Sequence, residues 1–292
     1  MALWPPSPRL TRRRALDSTL AARARRAAGT GPTALGARRS DGGLRHPRVS
    51  VVIPALNEAE NLPFVLPHIP LDVDEVILVD GRSTDGTVEL AHRLRPDVRV
   101  VWQSGKGKGN ALRSGFEACS GEIIVMLDAD GSTDPREIPR YVGALLSGAD
   151  FAKGSRFLQG GGTADMPLHR RLGNKMFVLL VRLFFGGSYS DLCYGYNAFW
   201  ADVPGQLDLE ASGFEIETMM NIRALRAGLQ VVEVPSFEHE RIHGEGRLKT
   251  IPDGWRVLKT ILSERFKRRK PAGLREVARP PLEAEPLEAE IG

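Results

Sequence analysis

From residue 48 onward, short continuous runs of apolar residues alternate with stretches in which apolar residues recur every three or four positions. Residues 49–54 (VSVVIP), 75–80 (EVILVD), 98–102 (VRVVW) and 122–128 (EIIVMLD) are mostly apolar and of strand length. Such runs suit strands covered on both faces, because neither face has to meet water. Between them, Asp85 stands where a helix cap belongs, ahead of Val88, Ala91 and Leu94 on one stripe. Residues 110–119 carry Ala111, Leu112, Gly115 and Phe116 at helical spacing. The alternation predicts an α/β fold in which a mostly parallel, doubly wound sheet has helices on both faces.

Past Asp134 the pattern loosens. It predicts helices over 136–146, 169–185 and 214–227, a Gly-rich loop over 159–163, a short strand over 231–234 and a last helix over 255–270. Residues 271–292 contain PLEAE twice, form an acidic tail with little to bury, and read as disordered. The Arg/Ala/Pro/Gly arm of residues 1–47 reads the same way, which leaves 48–270 as one folded unit.

Hydrophobic residues make up 42% and charged residues 26%, which excludes a collagen-like or wholly disordered chain. The net charge of +4 is unevenly placed: residues 1–48 hold eleven Arg and two Asp, a net of +9, and the remainder carries −5. A basic groove built by the fold is therefore not expected, and nucleic acid is not an expected partner. Cys119 and Cys193 stand in no metal or redox spacing and read as reduced thiols. No run reaches the roughly 18 to 20 apolar residues that a spanning helix needs, and the Arg-rich start has no apolar core for a signal peptide. The expected location is cytoplasmic.

In an open parallel sheet, ligands bind beyond the carboxyl ends of the strands. The first strand exits into PALNEAEN, the second into VDGRSTDGT and the fourth into LDADGSTD, which puts Asn57, Glu58, Asp80, Asp128 and Asp130 along one edge. Asp128 and Asp130 flank a single Ala, a spacing that lets both carboxylates meet one hard cation such as Mg²⁺. A solvated turn is the plain alternative for so short a pattern; its place at the end of a buried apolar run favours the metal. The segment KGKGNALRSG (106–115) lacks both the GxxxxGK[ST] and the GxGxxG spacings, so nucleotide-triphosphate and dinucleotide loops are excluded. A Lys/Gly turn opening a helix still offers backbone N–H groups and Lys108 to an anion, with an exposed turn as the alternative.

In order and spacing, PALNEAEN, VDGRSTDGT, GKGNALRSGF and LDADGSTD resemble the inverting family 2 glycosyltransferases of GT-A fold, over residues 49–249. GSRF from Gly154, DLCYGYNAF from Asp191 and ERIHGEGRLK from Glu240 are similar to segments of the dolichol- and polyprenol-phosphate hexosyltransferases. The resemblance implies a nucleotide pocket lined by Pro54, Asn57, Glu58 and Asp80, with Lys108 near the diphosphate and Asp128 and Asp130 holding Mg²⁺ or Mn²⁺. Gly81 and Arg82 depart from the family's VDDGS, which bears on base recognition. Arg156 would face the acceptor phosphate, a role its planar fork suits. Arg170, Arg171, Arg241 and Arg247 match further basic positions, although a family Ser-Lys pair has become Gly246-Arg247. For Arg170, Arg171 and Arg247 a solvated surface role is the alternative.

The implied reaction transfers a hexose from a nucleotide sugar to a polyprenyl phosphate, with GDP-mannose the first donor and UDP-glucose the second. A phosphate monoester, with a second pKa near 6, is already a nucleophile at neutral pH and needs no base. Asp191 would serve as base if the acceptor were a hydroxyl. Rival readings are a soluble phosphorylated acceptor such as phosphoglycerate, and a basic-arm nucleic-acid binder, against which the charge location and the intact Asp-x-Asp both speak. A lipid acceptor requires a membrane surface. Residues 176–185 (MFVLLVRLFF) are apolar on nearly every face, part of which suits core packing. Over 255–270, Trp255, Leu258, Ile261, Leu262 and Phe266 share a stripe flanked by Arg256, Lys259, Arg265, Lys267, Arg268, Arg269 and Lys270. That pattern suits a helix lying in an anionic interface. The expectation is a peripheral enzyme at the inner face of the cell membrane, with room for an integral-membrane partner protein.

Overall fold

The structure, a computed structural model, describes residues 46–164 and 166–267. Nearly all of the arm, the acidic tail, and Arg268, Arg269 and Lys270 of the expected basic helix lie outside the described residues. The strands are β1 (Val49–Ala55), β2 (Glu75–Asp80), β3 (Arg99–Trp102), β4 (Ile123–Met126), β5 (Phe151–Ser155), β6 (Gly162–Thr163), β7 (Asn197–Trp200), β8 (Val231–Pro235) and β9 (Phe237–Glu238). Seven form one sheet in the order β3-β2-β1-β4-β7-β5-β8, and β6 pairs with β9. Only β7 runs antiparallel within the seven-stranded sheet, inserted between β4 and β5. β1 pairs in parallel with both β2 and β4, so the exits of these three strands open on one edge.

The helices are α1 (Thr87–Leu94), α2 (Lys108–Ala118), α3 (Ile138–Leu146), α4 (Leu168–Phe185), α5 (Val203–Leu207), α6 (Glu215–Arg226) and α7 (Thr250–Phe266). At the start of α1 the chain turns through Gly86 at φ +84°, and the Asp85 carboxylate accepts from the Thr87 backbone N at 3.0 Å. In α2, a Cβ on Gly115 would come within 2.4 Å of Val52 Cγ1 and 2.8 Å of Val79 Cγ2. Glycine there lets the helix lie directly on β1 and β2, over the buried Val52, Ile77 and Val79. This contact fixes the level at which Lys108, the first residue of α2, emerges at the sheet edge.

A second, smaller core joins α4, α6 and α7 through Phe177, Val181, Ile222, Val257 and Ile261. Inside it, the Arg223 guanidinium meets Glu264 at 2.6 Å, with both side chains buried. The stripe expected on the last helix therefore needs correction. Val257, Ile261 and Glu264 recur at i, i+4 and i+7 and face the body, while Ile251, Trp255, Leu262 and Phe266 point the other way and are exposed. Helix α4 is likewise two-faced: Asn174, Phe177 and Val181 are buried, whereas Leu168, Leu172, Met176, Leu179 and Leu183 form an exposed apolar line. Among the described residues, no helix is long and apolar enough to cross a membrane.

Candidate active site

Beyond the ends of β1 and β4 lies a cavity of about 600 Å³. Asp128 and Asp130 enter it immediately after β4. Asp130 Oδ1 is committed locally, accepting from Ser132 N at 3.0 Å and Ser132 Oγ at 2.7 Å, and Oδ2 turns toward Arg241 Nη1 at 3.3 Å. Asp128 Oδ1 lies 2.6 Å from Lys108 Nζ, which also makes an ion-pair contact of 2.7 Å with Glu217 Oε1. Burial alone would lower the Lys108 pKa, but the charges of Asp128 and Glu217 outweigh it and hold the ammonium far above its ordinary range.

The glycines around Lys108 have a packing cause. A Cβ on Gly107 would come within 2.3 Å of Ser212 O, and one on Gly109 within 2.3 Å of Ala211 O. Gly109 N donates to Ser212 O at 2.9 Å. The two glycines thus admit the 211–213 loop against the start of α2, and that loop leads into Phe214 and Glu217. The Phe214 ring centroid is 5.7 Å from Lys108 Nζ. Gly195 completes the cluster: a Cβ on it would stand 2.8 Å from Lys108 Nζ, 2.9 Å from Asp128 Oδ2 and 2.9 Å from Glu217 Oε1.

Glu58 is buried, accepts from Asn61 Nδ2 at 2.7 Å and pairs with Arg241 Nη2 at 2.6 Å. Pro54, Arg170 and Arg247 also line the cavity, and Arg247 Nη2 donates to Leu56 O at 2.6 Å. Arg171 is exposed and outside the lining. Asn57, at φ +49°, braces the two strand exits by accepting from Thr84 N at 2.8 Å and donating through its own N to Ser83 Oγ at 2.8 Å. Asp80 is fully buried and accepts from Ser83 N at 2.8 Å. Neither Asn57 nor Asp80 lines the cavity, and Gln103 reaches it from beyond β3 instead.

Arg156 and Asp191 depart from their expected places. Arg156 Nε and Nη2 bind the two Asp191 carboxylate oxygens at 2.6 and 2.9 Å, and Nη1 binds Glu238 at 3.0 Å. Its side chain is 2% exposed and stacks over the Tyr194 ring at 4.9 Å. With every donor nitrogen on a carboxylate, it is not the open phosphate fork that the sequence suggested. Burial would raise the Asp191 pKa, but the charge and hydrogen bonds of Arg156 outweigh it and keep the carboxyl below its ordinary range. A fully buried carboxylate held that way does not serve as a base at the cavity. The pair orients the β5 exit and Glu238, which itself lines the cavity.

Sequence reasoning passed over Glu217 and Gln103 and gave Gly195 and Cys193 no place in the site, yet all four line the cavity. Glu217 shares the first turn of α6 with Glu215, where acidic residues are ordinary complements of the helix dipole. Burial pushes the Cys193 thiol up to about 12, so it is an inert wall rather than a nucleophile.

The sequence profile described as glycosyl transferase family 2 matches residues 50–203. The chain belongs to that family. A low-salt glycan biosynthesis hexosyltransferase of Haloferax volcanii is 32% identical over 74% of this chain and 53% of its own length, so the chain spans about half of that relative. An undecaprenyl-phosphate mannosyltransferase of Micrococcus luteus is 34% identical over 69% of this chain and 87% of its own. Among solved structures, glucosyl-3-phosphoglycerate synthase of Mycobacterium tuberculosis in complex with Mg²⁺ and UDP superimposes with a TM-score of 0.61 at 27% identity, covering 77% of this chain and 81% of that one. The protein is thus a glycosyltransferase with the GT-A fold.

The family 2 cavity offers hard carboxylate oxygens at Asp128 and Asp130, the ligand type a divalent metal takes, and each now faces a side-chain cation that the metal would have to displace. Among the described residues, no three His, Cys, Asp or Glu side chains converge as a complete ligand set. Water and donor phosphate oxygens commonly supply the remaining positions around such an ion.

Proposed function

We propose that the protein transfers a hexose from a nucleotide sugar to a polyprenyl phosphate, with inversion at the anomeric carbon. The observation that carries this reading is the place of Arg170: it lines the cavity from the first turn of α4, the helix whose outer face carries five exposed apolar residues. A phosphate held there would sit against the inward face of the helix whose apolar outer face would rest on the membrane that carries the lipid. The similarity to the undecaprenyl-phosphate mannosyltransferase supports the same acceptor class.

Asp128 and Asp130 would hold Mg²⁺ or Mn²⁺, which when bound neutralises charge on the leaving diphosphate. Lys108 binds that diphosphate, held in place by Glu217. Glu58 and Pro54 wall the donor side, with Asp80 and Asn57 shaping it from behind. Arg170, Arg241 and Arg247 orient the acceptor phosphate. One of its oxygens bonds to the anomeric carbon as the bond to the nucleoside diphosphate breaks, and no general base is needed. The outer faces of α4 and α7, with Leu183 72% and Phe266 81% exposed, rest on the membrane. Arg171, Lys175, Arg182, Arg256, Lys259 and Arg265 meet its anionic headgroups at the cytoplasmic side.

The likeness to the phosphoglycerate enzyme favours a second reading, a soluble phosphorylated acceptor. Purified protein with Mn²⁺, labelled GDP-mannose or UDP-glucose, and either undecaprenyl phosphate in vesicles or 3-phosphoglycerate separates the two. Label extracted into organic solvent supports the lipid acceptor; label confined to a water-soluble product overturns it.

A further inference from the structure

Between β9 and α7, residues 239–249 form neither helix nor strand and contribute His239, Glu240, Arg241, Gly244, Arg247 and Leu248 to the cavity lining. This strap is tied to the β1 exit loop: His243 N donates to Asn61 Oδ1 at 2.9 Å, Asn61 Nδ2 donates to His243 O at 3.2 Å, and Arg247 reaches Leu56 O. It is tied to the Asp-x-Asp loop through Ile242, whose N donates to Asp130 O at 3.4 Å and whose side chain fills the space that a Cβ on Gly131 would occupy. Arg241 joins both loops at once. Its Nη2 pairs with Glu58, its Nη1 with Asp130 Oδ2, and its Nε donates to His243 O at 2.7 Å, so the strap's own backbone sets the direction of the guanidinium.

We propose that Arg241 is a latch that holds the strap at the cavity, and that a divalent cation arriving at Asp130 releases it. This rests on the proposed assignment of a metal to Asp130. The oxygen chemistry forces the competition. Oδ1 of Asp130 is occupied by Ser132, so the oxygen left for a cation is Oδ2, which Arg241 holds. A guanidinium and a divalent ion a few ångströms apart on one oxygen repel each other strongly where water is partly excluded. The released guanidinium keeps Glu58 as an anchor, or turns into the cavity toward an anionic ligand. Linkage makes the effect reciprocal: Arg241 weakens metal binding by the same factor by which metal weakens the strap's closure. The acceptor-side cation is thereby freed only after the metal is present, which orders binding without any domain motion.

The test is Mn²⁺ binding to the full chain without nucleotide, followed by the electron paramagnetic resonance of free Mn²⁺, together with hydrogen exchange over residues 240–249. Arg241→Gln should bind Mn²⁺ about 5-fold or more tightly, the lower end of ordinary coupling between two binding events. Arg241→Lys, which keeps the charge without the fork, should lie between it and the wild type. Arg247→Gln removes the same charge from the same strap but ends on a backbone carbonyl, so its Mn²⁺ affinity should move by less than about twofold. Mn²⁺ should speed exchange over 240–249 in the wild type and leave Arg241→Gln, already fast, unchanged. An unchanged or weaker affinity in Arg241→Gln, an equal gain in Arg247→Gln, or exchange that Mn²⁺ slows would overturn the latch while leaving the metal site standing. No Mn²⁺ binding in any of the proteins would overturn the metal assignment and the latch together.

Discussion

Two sets of ion pairs in this protein have the same chemistry and opposite fates. Lys108 with Asp128 and Glu217, and Arg241 with Glu58 and Asp130, sit in the cavity wall. Arg156 with Asp191, and Arg223 with Glu264, are sealed inside, each pair almost without solvent exposure. A wall pair trades one partner for a ligand and loses little, because the incoming phosphate or metal replaces the charge that leaves. A sealed pair has no such replacement, and opening it strands a charge in a poorly solvated place. Burial, more than residue type, therefore decides which basic residues are free to serve substrates.

The contrast breaks first at Arg156. Arg156→Ala leaves Asp191 buried without its ion-pair partner, and should lower stability by about 3–5 kcal/mol, read as a fall in the urea midpoint. If Arg156 were instead a phosphate grip, the midpoint would hold and acceptor kinetics alone would suffer. Gly195→Ala probes the wall. The new Cβ presses on the ends of the Lys108, Asp128 and Glu217 side chains, which can move, so the fold should survive with an unchanged midpoint. Displacement of the triad by about 1 Å should nevertheless cost about 100-fold in kcat/KM. An active Gly195→Ala enzyme would mean that the triad is not part of the donor site.

The first half of the fold was legible because β1, β2 and β4 lie inside the sheet, and their sequences are continuous apolar runs for that reason. The second half was less so. β7 has four residues, and its antiparallel place between β4 and β5 depends on partners distant in sequence. β5, the short strand expected just before Arg156, carries the fully buried Lys153, which donates to Gly154 O at 2.9 Å, a polar side chain inside the core. In the site, Asp128, Asp130, Glu58, Lys108 and Arg241 stand in recognisable segments, and the structure gathers them at one cavity. Glu217 acts only through space, and no spacing rule reaches it; Gly195 stands in a recognisable segment, but its approach to Lys108, Asp128 and Glu217 depends on the fold. Arg156, expected at the acceptor phosphate, meets carboxylates in the structure, because a fork that suits phosphate suits carboxylate equally well.

The two helices of the second core sharpen the comparison on the outer surface. Replacing Trp255 and Phe266 together by Ser leaves the inward face of Val257, Ile261 and Glu264 intact, so stability should hold. Vesicle binding should fall roughly tenfold or more, since burying one large apolar side chain contributes about 1.5–3 kcal/mol. Flotation with anionic vesicles measures it, and undiminished binding would assign these faces to a protein partner instead of the lipid.

The sorting of arginines by burial is tested most directly by the acceptor KM of Arg170→Gln, measured with undecaprenyl phosphate in vesicles beside the donor KM. Arg170 is a wall residue, so the acceptor KM should rise about tenfold, the loss of one charge-assisted contact at roughly 1.5–3 kcal/mol, with the donor KM and the urea midpoint unchanged. An unchanged acceptor KM, or an equal rise in the donor KM, would contradict the claim that this cavity arginine, and not the sealed Arg156, meets the acceptor phosphate.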